Sequence, residues 1–340
     1  MRILITGAFG NVGTSTLNEL LKRGHQVRIF ERNTLKNRIR AKKYKEKAEI
    51  MLGNILNIGD VGKAVSGVDV VIHLAAVIPP LTDRIPELAE YINVGGTESI
   101  INAIKKQSKR PKLIYTSSVA VYGDRLDSPY IEKTDPTNPS PDDRYAMQKL
   151  KCEELIKKSG LEWLIFRLTA VFPANKLKLD PIMYDMPLET SLEICSSEDV
   201  GFAIANAVDN TTVWGNIFHI AGGERCRTTY RALLNRMFDI LGMGTDFLSD
   251  KAFRKSGFHC GYMDTDESER YLHYQRHTLE DYYQEVLKNY RIKRIFITLV
   301  RPLARWLLMR KSPYYGASFR ATDHMGKNVL HPKKSLESEL

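Results

Sequence analysis

The stretch that most restricts the fold is RILITGAFGNVGTSTLNELLKRG, residues 2–24. RILIT (2–6) is an unbroken, β-branched apolar run, the pattern of a strand buried on both faces. From Asn11 the apolar positions suit a helix that stops at Gly24. Gly7, Gly10 and Gly13 punctuate the join between the two. A doubly buried strand that turns straight into a helix calls for parallel neighbours reached by crossovers. The glycines also let the backbone around Asn11 and Val12 approach a pyrophosphate at the helix N-terminus. Nucleotide binding is therefore the first functional expectation.

The pattern continues. Strands are expected at 26–30, 49–53, 69–75, 112–118 and 162–168, with helices near 58–66, 84–108 and 142–160. Residues 169–191 are loop-rich. A strand at 191–196, a helix at 198–208 and a strand at 216–222 then return to the first pattern, and 228–242 and 278–290 look helical. The expected fold is α/β, a Rossmann-type doubly wound parallel sheet with a smaller C-terminal substrate lobe. The expected division is a nucleotide-binding domain over 1–168 with 191–222 returning to it, a substrate lobe from 169–190 and 223–290, and a basic extension over 291–340.

Several side chains fall where an open parallel sheet binds ligands, at the carboxyl edge. Glu31 ends the second strand; an acid there takes the adenine-ribose 2′-OH and repels a 2′-phosphate, which favours NAD. Arg32 follows it, suits adenine stacking or a 2′-phosphate, and keeps NADP open. TSSVAVYG (116–123) ends the fifth strand. Its serines read either as turn residues or as donors to a substrate oxygen. Tyr145 and Lys149 are four apart on an expected helix and so share a face. An ammonium beside a phenol favours the phenolate and brings a tyrosine toward useful acid–base range.

Taken in order along the chain, these residues resemble the extended short-chain dehydrogenase/reductase family, also described as the NAD-dependent epimerase/dehydratase family. The resemblance covers about residues 1–290: TGAFGNVG, GN at 53–54, HLAA at 73–76, YINVGGT at 91–97, YTSSVAVYG at 115–123, Tyr145-x-x-x-Lys149 and SSEDVGFAI at 196–204. It implies Ser118 on the reacting oxygen, Tyr145 as acid/base, and Lys149 lowering the tyrosine pKa and binding the nicotinamide ribose. It implies Gly7, Gly10 and Gly13 as the pyrophosphate loop and Glu31 as the ribose acid. Asn54 stands where the family usually has an adenine-facing Asp, with Ile55 beside it. Leu74, Ala75 and Ala76 would line the cofactor cleft, with Asn93 as a helper. The linker 127–143, with four prolines, resembles the active-site loop before the catalytic helix.

Three departures narrow the expectation. Val119-Ala120 replaces the Asp-Glu pair of sugar-nucleotide dehydratases. RLTAVFP (167–173) places Ala170 where many sugar epimerases carry Asn. The closing segment 264–286 keeps the family's Asp and Leu but not its Lys or Gly. Simple oxidoreduction at a hydroxyl/carbonyl centre is therefore expected ahead of nucleotide-sugar epimerisation, with a non-catalytic nucleotide sensor or assembly module as the alternative of another class.

The formal charge is +10, but residues 291–340 hold 11 Lys/Arg against 3 Asp/Glu, so the remainder is close to neutral and no nucleic-acid footprint is expected on it. Cys152, Cys195, Cys226 and Cys260 are scattered without a Cys-x-x-Cys, which suits reduced thiols and no metal. His273 and His277 read as a solvated helix face rather than ligands. The sequence enters a strand at once, without a leader-like apolar region, and a cytoplasmic enzyme with a small-molecule substrate is expected. The segment RIKRIFITLVRPLARWLLMRKSPYY (291–315) supports two readings: an interfacial helix giving peripheral membrane contact, or a helix packed on the body or on a homodimer partner. Beyond Ser318 the tail is expected to be mobile, and DPIMYDMPLE (180–189) to form an apolar pocket or plain core in the substrate lobe.

Overall fold

The computed structural model describes residues 1–174, 177, 181–255 and 257–315. The expectation for the tail beyond Ser318, and residue 180 of the lobe segment, lie outside these. The strands are β1 (Arg2–Thr6), β2 (Gln26–Glu31), β3 (Glu49–Leu52), β4 (Val70–His73), β5 (Lys112–Ser118), β6 (Tyr130–Ile131), β7 (Trp163–Leu168), β8 (Ser191–Glu193), β9 (Ile217–Ile220), β10 (Arg227–Thr229) and β11 (Tyr262–Met263). The helices are α1 (Asn11–Lys22), α2 (Leu35–Ala41), α3 (Ile58–Val65), α4 (Leu81–Arg84), α5 (Pro86–Glu90), α6 (Gly96–Lys105), α7 (Arg144–Lys157), α8 (Ser197–Asp209), α9 (Tyr230–Ile240), α10 (Asp266–Leu272), α11 (Leu279–Leu299) and α12 (Arg301–Lys311).

Seven strands form one parallel sheet in the order β3-β2-β1-β4-β5-β7-β9. Alternate side chains feed opposite cores, as a doubly covered sheet requires. Ile3, Ile5, Ile72, Ile114, Leu164 and Phe166 enter one core with Leu17 and Leu20 of α1 and Val200 and Ile204 of α8. Leu4, Val71, Leu113, Tyr115 and Ile165 enter the other, against α3, α6 and α7. Strand order reverses between β1 and β4, which opens a crevice at their carboxyl ends. A third core lies in the C-terminal lobe, around Tyr184, Leu192, Tyr230, Phe238 and Phe253. Tyr184 and Met186 of the 180–189 segment are buried in it.

Four sequence expectations change. The helix expected at 84–108 is in pieces: Pro86 disfavours helical backbone at Ile85, which sits at φ −135°, ψ 57° between α4 and α5. Tyr91–Gly95 then forms a π-helical turn before α6. The strand expected at 191–196 stops at Glu193 and pairs antiparallel with β10, outside the main sheet. The buried Glu193 carboxylate accepts from Gly223 N (2.7 Å) and Met263 N (3.0 Å). An unexpected α2 occupies 35–41, capped by Thr34 on Asn37 N. His273 and His277 do not share a helix: α10 ends at His273 with φ 45°. His277 is partly exposed, and its Nδ1 lies 2.7 Å from the buried Asp199 carboxylate.

Candidate active site

The turn requires glycine at Gly7 and Gly13. A Cβ on Gly13 would lie 2.0 Å from Gly7 O, and one on Gly7, whose φ is 73°, 2.7 Å from Ala75 N. The β4 exit therefore runs hard against the turn, and Thr6 Oγ1 fixes it by accepting from Ala75 N (3.2 Å) while contacting His73 Nδ1 (2.7 Å). Burial lowers the His73 pKa to about 3, so the ring is neutral. Gly10 caps α1 without a side chain, and no acid stands in the first turn. The helix start thus keeps unshared N–H groups, a natural cradle for phosphate. The exposed Asn11 bonds Val171 O (3.3 Å), and Val12 packs on the core.

Glu31 accepts from Phe9 N (2.9 Å) and Asn37 Nδ2 (3.2 Å), tying β2 to the glycine turn. Burial raises its pKa; the Phe9 N–H and the Arg32 and Arg40 charges oppose that. Arg40 donates to Phe9 O (2.8 Å). Asn37 and Arg40 were missed in the sequence because α2 was missed; a Thr-capped segment right after a strand was the signal available. Arg32 is exposed beside them. Asn54 is an exposed turn residue whose Oδ1 accepts from Leu56 N (3.0 Å). Ile55 packs against Gly96, and Leu74, Ala75 and Ala76 lie half-buried beyond β4. Asn93 spends its buried amide on Val77 N (2.7 Å), Val77 O (2.9 Å) and Gln148 Oε1 (2.7 Å), so it joins the β4 exit to α7.

Ser118 ends β5 and accepts from Ala120 N (3.2 Å). Across from it, Tyr145 lies in the first turn of α7, where the Ser118 hydroxyl acts to lower the pKa of its phenol. Lys149 follows one turn on. Its buried Nζ donates to Thr116 O (2.7 Å) and sits 4.7 Å from the Tyr115 ring centroid and 5.6 Å from that of Tyr145. Ser118, Tyr145 and Lys149 therefore converge at the carboxyl end of β5.

The electrostatics differ from the sequence expectation in one respect. Burial first, then the Asp143 charge, push the Tyr145 phenol above its ordinary value, against the Ser118 hydroxyl. Burial lowers Lys149 to about 8. The ammonium faces a carbonyl and two ring faces, and desolvation is the largest cause of the rise at Tyr145.

Asp143 is a positioning residue that the sequence reading passed over, although an Asp before a helical run is a cap signal. It caps α7 by accepting from Ala146 N (2.9 Å) and lies 2.5 Å from His259 Nδ1 of the C-terminal lobe. Burial would raise its pKa, but His259 and the Ala146 and Tyr145 N–H groups hold it low. Nothing in the sequence pointed to His259. The proline-rich linker is also tied to the lobe, through β6 pairing with β11. The four cysteines are buried and unpaired. Among the described residues no three His, Cys, Asp or Glu gather as a metal site.

The model of the NAD dependent epimerase/dehydratase family matches residues 3–182, and the chain belongs to that family. A 3-beta-hydroxysteroid dehydrogenase of Mycolicibacterium neoaurum is 31% identical over 160 residues, 46% of this chain and 42% of that protein. A UDP-glucose 4-epimerase of Pisum sativum is 30% identical over 202 residues, 53% of this chain and 56% of that protein. The chain thus aligns with about half the length of these relatives. Among solved structures, UDP-glucuronic acid 4-epimerase from Bacillus cereus, in complex with UDP-glucuronic acid and NAD, superposes with a TM-score of 0.71 at 20% identity, covering 86% of this chain and 99% of that one. That likeness is one of fold.

Proposed function

We propose that the chain is an NAD-dependent oxidoreductase acting on a hydroxyl/carbonyl centre, with Tyr145 as the proton-transfer residue. The observation that carries this reading is the meeting of Ser118, Tyr145 and Lys149 at the sheet's carboxyl edge. Bound NAD supplies the hydride acceptor, and NADH the donor. Gly7, Gly10, Gly13 and the first N–H groups of α1 hold the pyrophosphate. Glu31 takes the ribose 2′-OH, and its charge beside the turn opposes a 2′-phosphate, so NAD is preferred to NADP.

Ser118 Oγ orients the reacting oxygen. Tyr145, kept protonated by burial, donates its proton when a carbonyl is reduced. In the oxidative direction the phenol must first lose that proton, and the Lys149 ammonium on the same helix face stabilises the phenolate. Asp143 and Asn93 hold α7 and the β4 exit in register.

Epimerisation is the competing chemistry, since a UDP-glucose 4-epimerase is among the relatives. Ala170 at the position where many sugar epimerases carry Asn, and Val119-Ala120 where dehydratases carry Asp-Glu, favour oxidoreduction. The test is a panel of secondary alcohols, ketones and nucleotide sugars, followed by NADH absorbance and product analysis. Net, stoichiometric NADH is expected with an alcohol. An epimer formed without net NADH overturns the reading.

A further inference from the structure

The second half of α11 and all of α12 carry an apolar stripe that faces outward. Ile292, Ile295, Phe296 and Leu299 follow i, i+3, i+4, i+7 and so lie along one side of α11; they are 74%, 66%, 66% and 76% exposed. On α12 the series continues with Leu303, Trp306 and Leu307, 56%, 53% and 46% exposed. In a globular protein such a stripe normally faces the core, and an apolar surface of this extent marks an interaction site.

The helices are not loose. Their other side is docked on the C-terminal lobe: Ile297 and Ala304 pack against it, and Leu308 and Met309 are buried in its core. Thr298 Oγ1 bonds Gly242 O (3.2 Å), Tyr184 Oη donates to Leu308 O (2.7 Å), Ser312 Oγ to Ala252 O (2.6 Å) and Tyr314 Oη to Asp185 Oδ1 (2.6 Å). The outer stripe is therefore presented by a fixed platform.

Charge selects what covers it. Residues 291–315 hold seven Lys/Arg and no Asp or Glu. Arg301, Arg305 and Trp306 line an open groove of about 680 Å³ with Phe247 and Tyr315. Among the described residues these two arginines form no ion pair with an acid. Asp246 at the groove is engaged by Asn235 Nδ2 (3.1 Å). Arg310 stacks over Trp306 at 4.7 Å from its ring centroid. A second copy placed symmetrically on this face would bring two predominantly basic patches together and repel. A nucleic acid would leave the Ile and Leu stripe without a partner. A surface that is both apolar and anionic satisfies both features. No helix among the described residues is long and apolar enough to cross a membrane.

From this arrangement we infer that α11 and α12 form an interfacial anchor that docks the protein on an anionic lipid surface. Ile292, Phe296, Leu299, Leu303 and Trp306 enter the acyl boundary, and Arg301, Arg305 and Arg310 engage headgroup phosphates. The inference is independent of the reaction proposed above.

The test uses the full chain with phosphatidylcholine vesicles, with and without roughly 30% phosphatidylglycerol. The wild type is expected to co-sediment with the anionic vesicles and to release at about 0.5 M salt, where surface charges are screened. Phe296→Glu/Trp306→Glu and Arg301→Glu/Arg305→Glu should each weaken binding roughly tenfold or more. Melting temperature and circular dichroism should stay at wild-type values, because the altered side chains are exposed. Wild type left in the supernatant with anionic vesicles overturns the inference. So does equal binding by wild type and the Phe296/Trp306 variant. A dimer in light scattering that the same variant splits, without vesicle binding, assigns the face to a second copy and also overturns it.

Discussion

α8 and the α11–α12 pair carry the same apolar spacing and meet opposite fates. Val200, Ala203, Ile204, Ala207 and Val208 of α8 are all buried, and Gly201 lies so close to α1 that a Cβ there would be 2.7 Å from Ser15 C and Thr16 N. Ile292, Ile295, Phe296 and Leu299 repeat that spacing in the open. Periodicity specifies a helix and its apolar side. What covers that side depends on where the rest of the chain goes. α8 has α1 and the sheet; the outer side of α11 and α12 has neither, and its neighbours in sequence are cations.

The sharpest way to break this comparison is to charge both stripes. Ile204→Asp should cost on the order of 4 kcal/mol, from a lost apolar side chain and a buried carboxylate. Leu303→Glu should stay within about 0.5 kcal/mol. Urea denaturation measures both, and equal losses would refute the distinction. Gly13→Val tests the other contact of α1, its glycine turn. With 2.0 Å between the new Cβ and Gly7 O, NAD affinity should fall on the order of 100-fold by calorimetry while helix content persists.

Smaller effects separate cofactor recognition from proton transfer. Glu31→Ser should lower the NAD-over-NADP ratio of kcat/KM roughly tenfold, since the repelling carboxylate is gone. Lys149 is protonated below its pKa of about 8 and neutral above it. The rate of carbonyl reduction should therefore decline as pH rises through about 8, a limb that Lys149→Met removes along with most of the plateau rate. A pH–rate profile without that limb in wild type would mean that the Lys149 charge does not serve the step.

The cofactor half was more legible than the lobe for a physical reason. RILIT, the glycine turn and the Tyr145–Lys149 pair are local: their consequences follow within one strand, turn or helix. The break at Pro86 was readable too, from the restriction proline puts on Ile85. Nonlocal features were not. Glu193 accepts N–H groups from residues 30 and 70 positions away, and the His259–Asp143 contact joins the lobe to α7 without a sequence pattern. The phenol of Tyr145 shows the same limit. Spacing put Lys149 on its face, but depth of burial set the direction of its pKa.

The central claim is that Tyr145 transfers the proton in an NAD-coupled oxidoreduction. Its most direct test is NADH formation by wild type and Tyr145→Phe, side by side, with whichever alcohol of the panel turns over. Because the phenolic hydroxyl is the only group removed, the rate should fall by roughly 100-fold or more with NAD affinity nearly unchanged. Equal rates would contradict the claim, as would tight NAD binding by wild type without turnover of any substrate, the behaviour of a sensor.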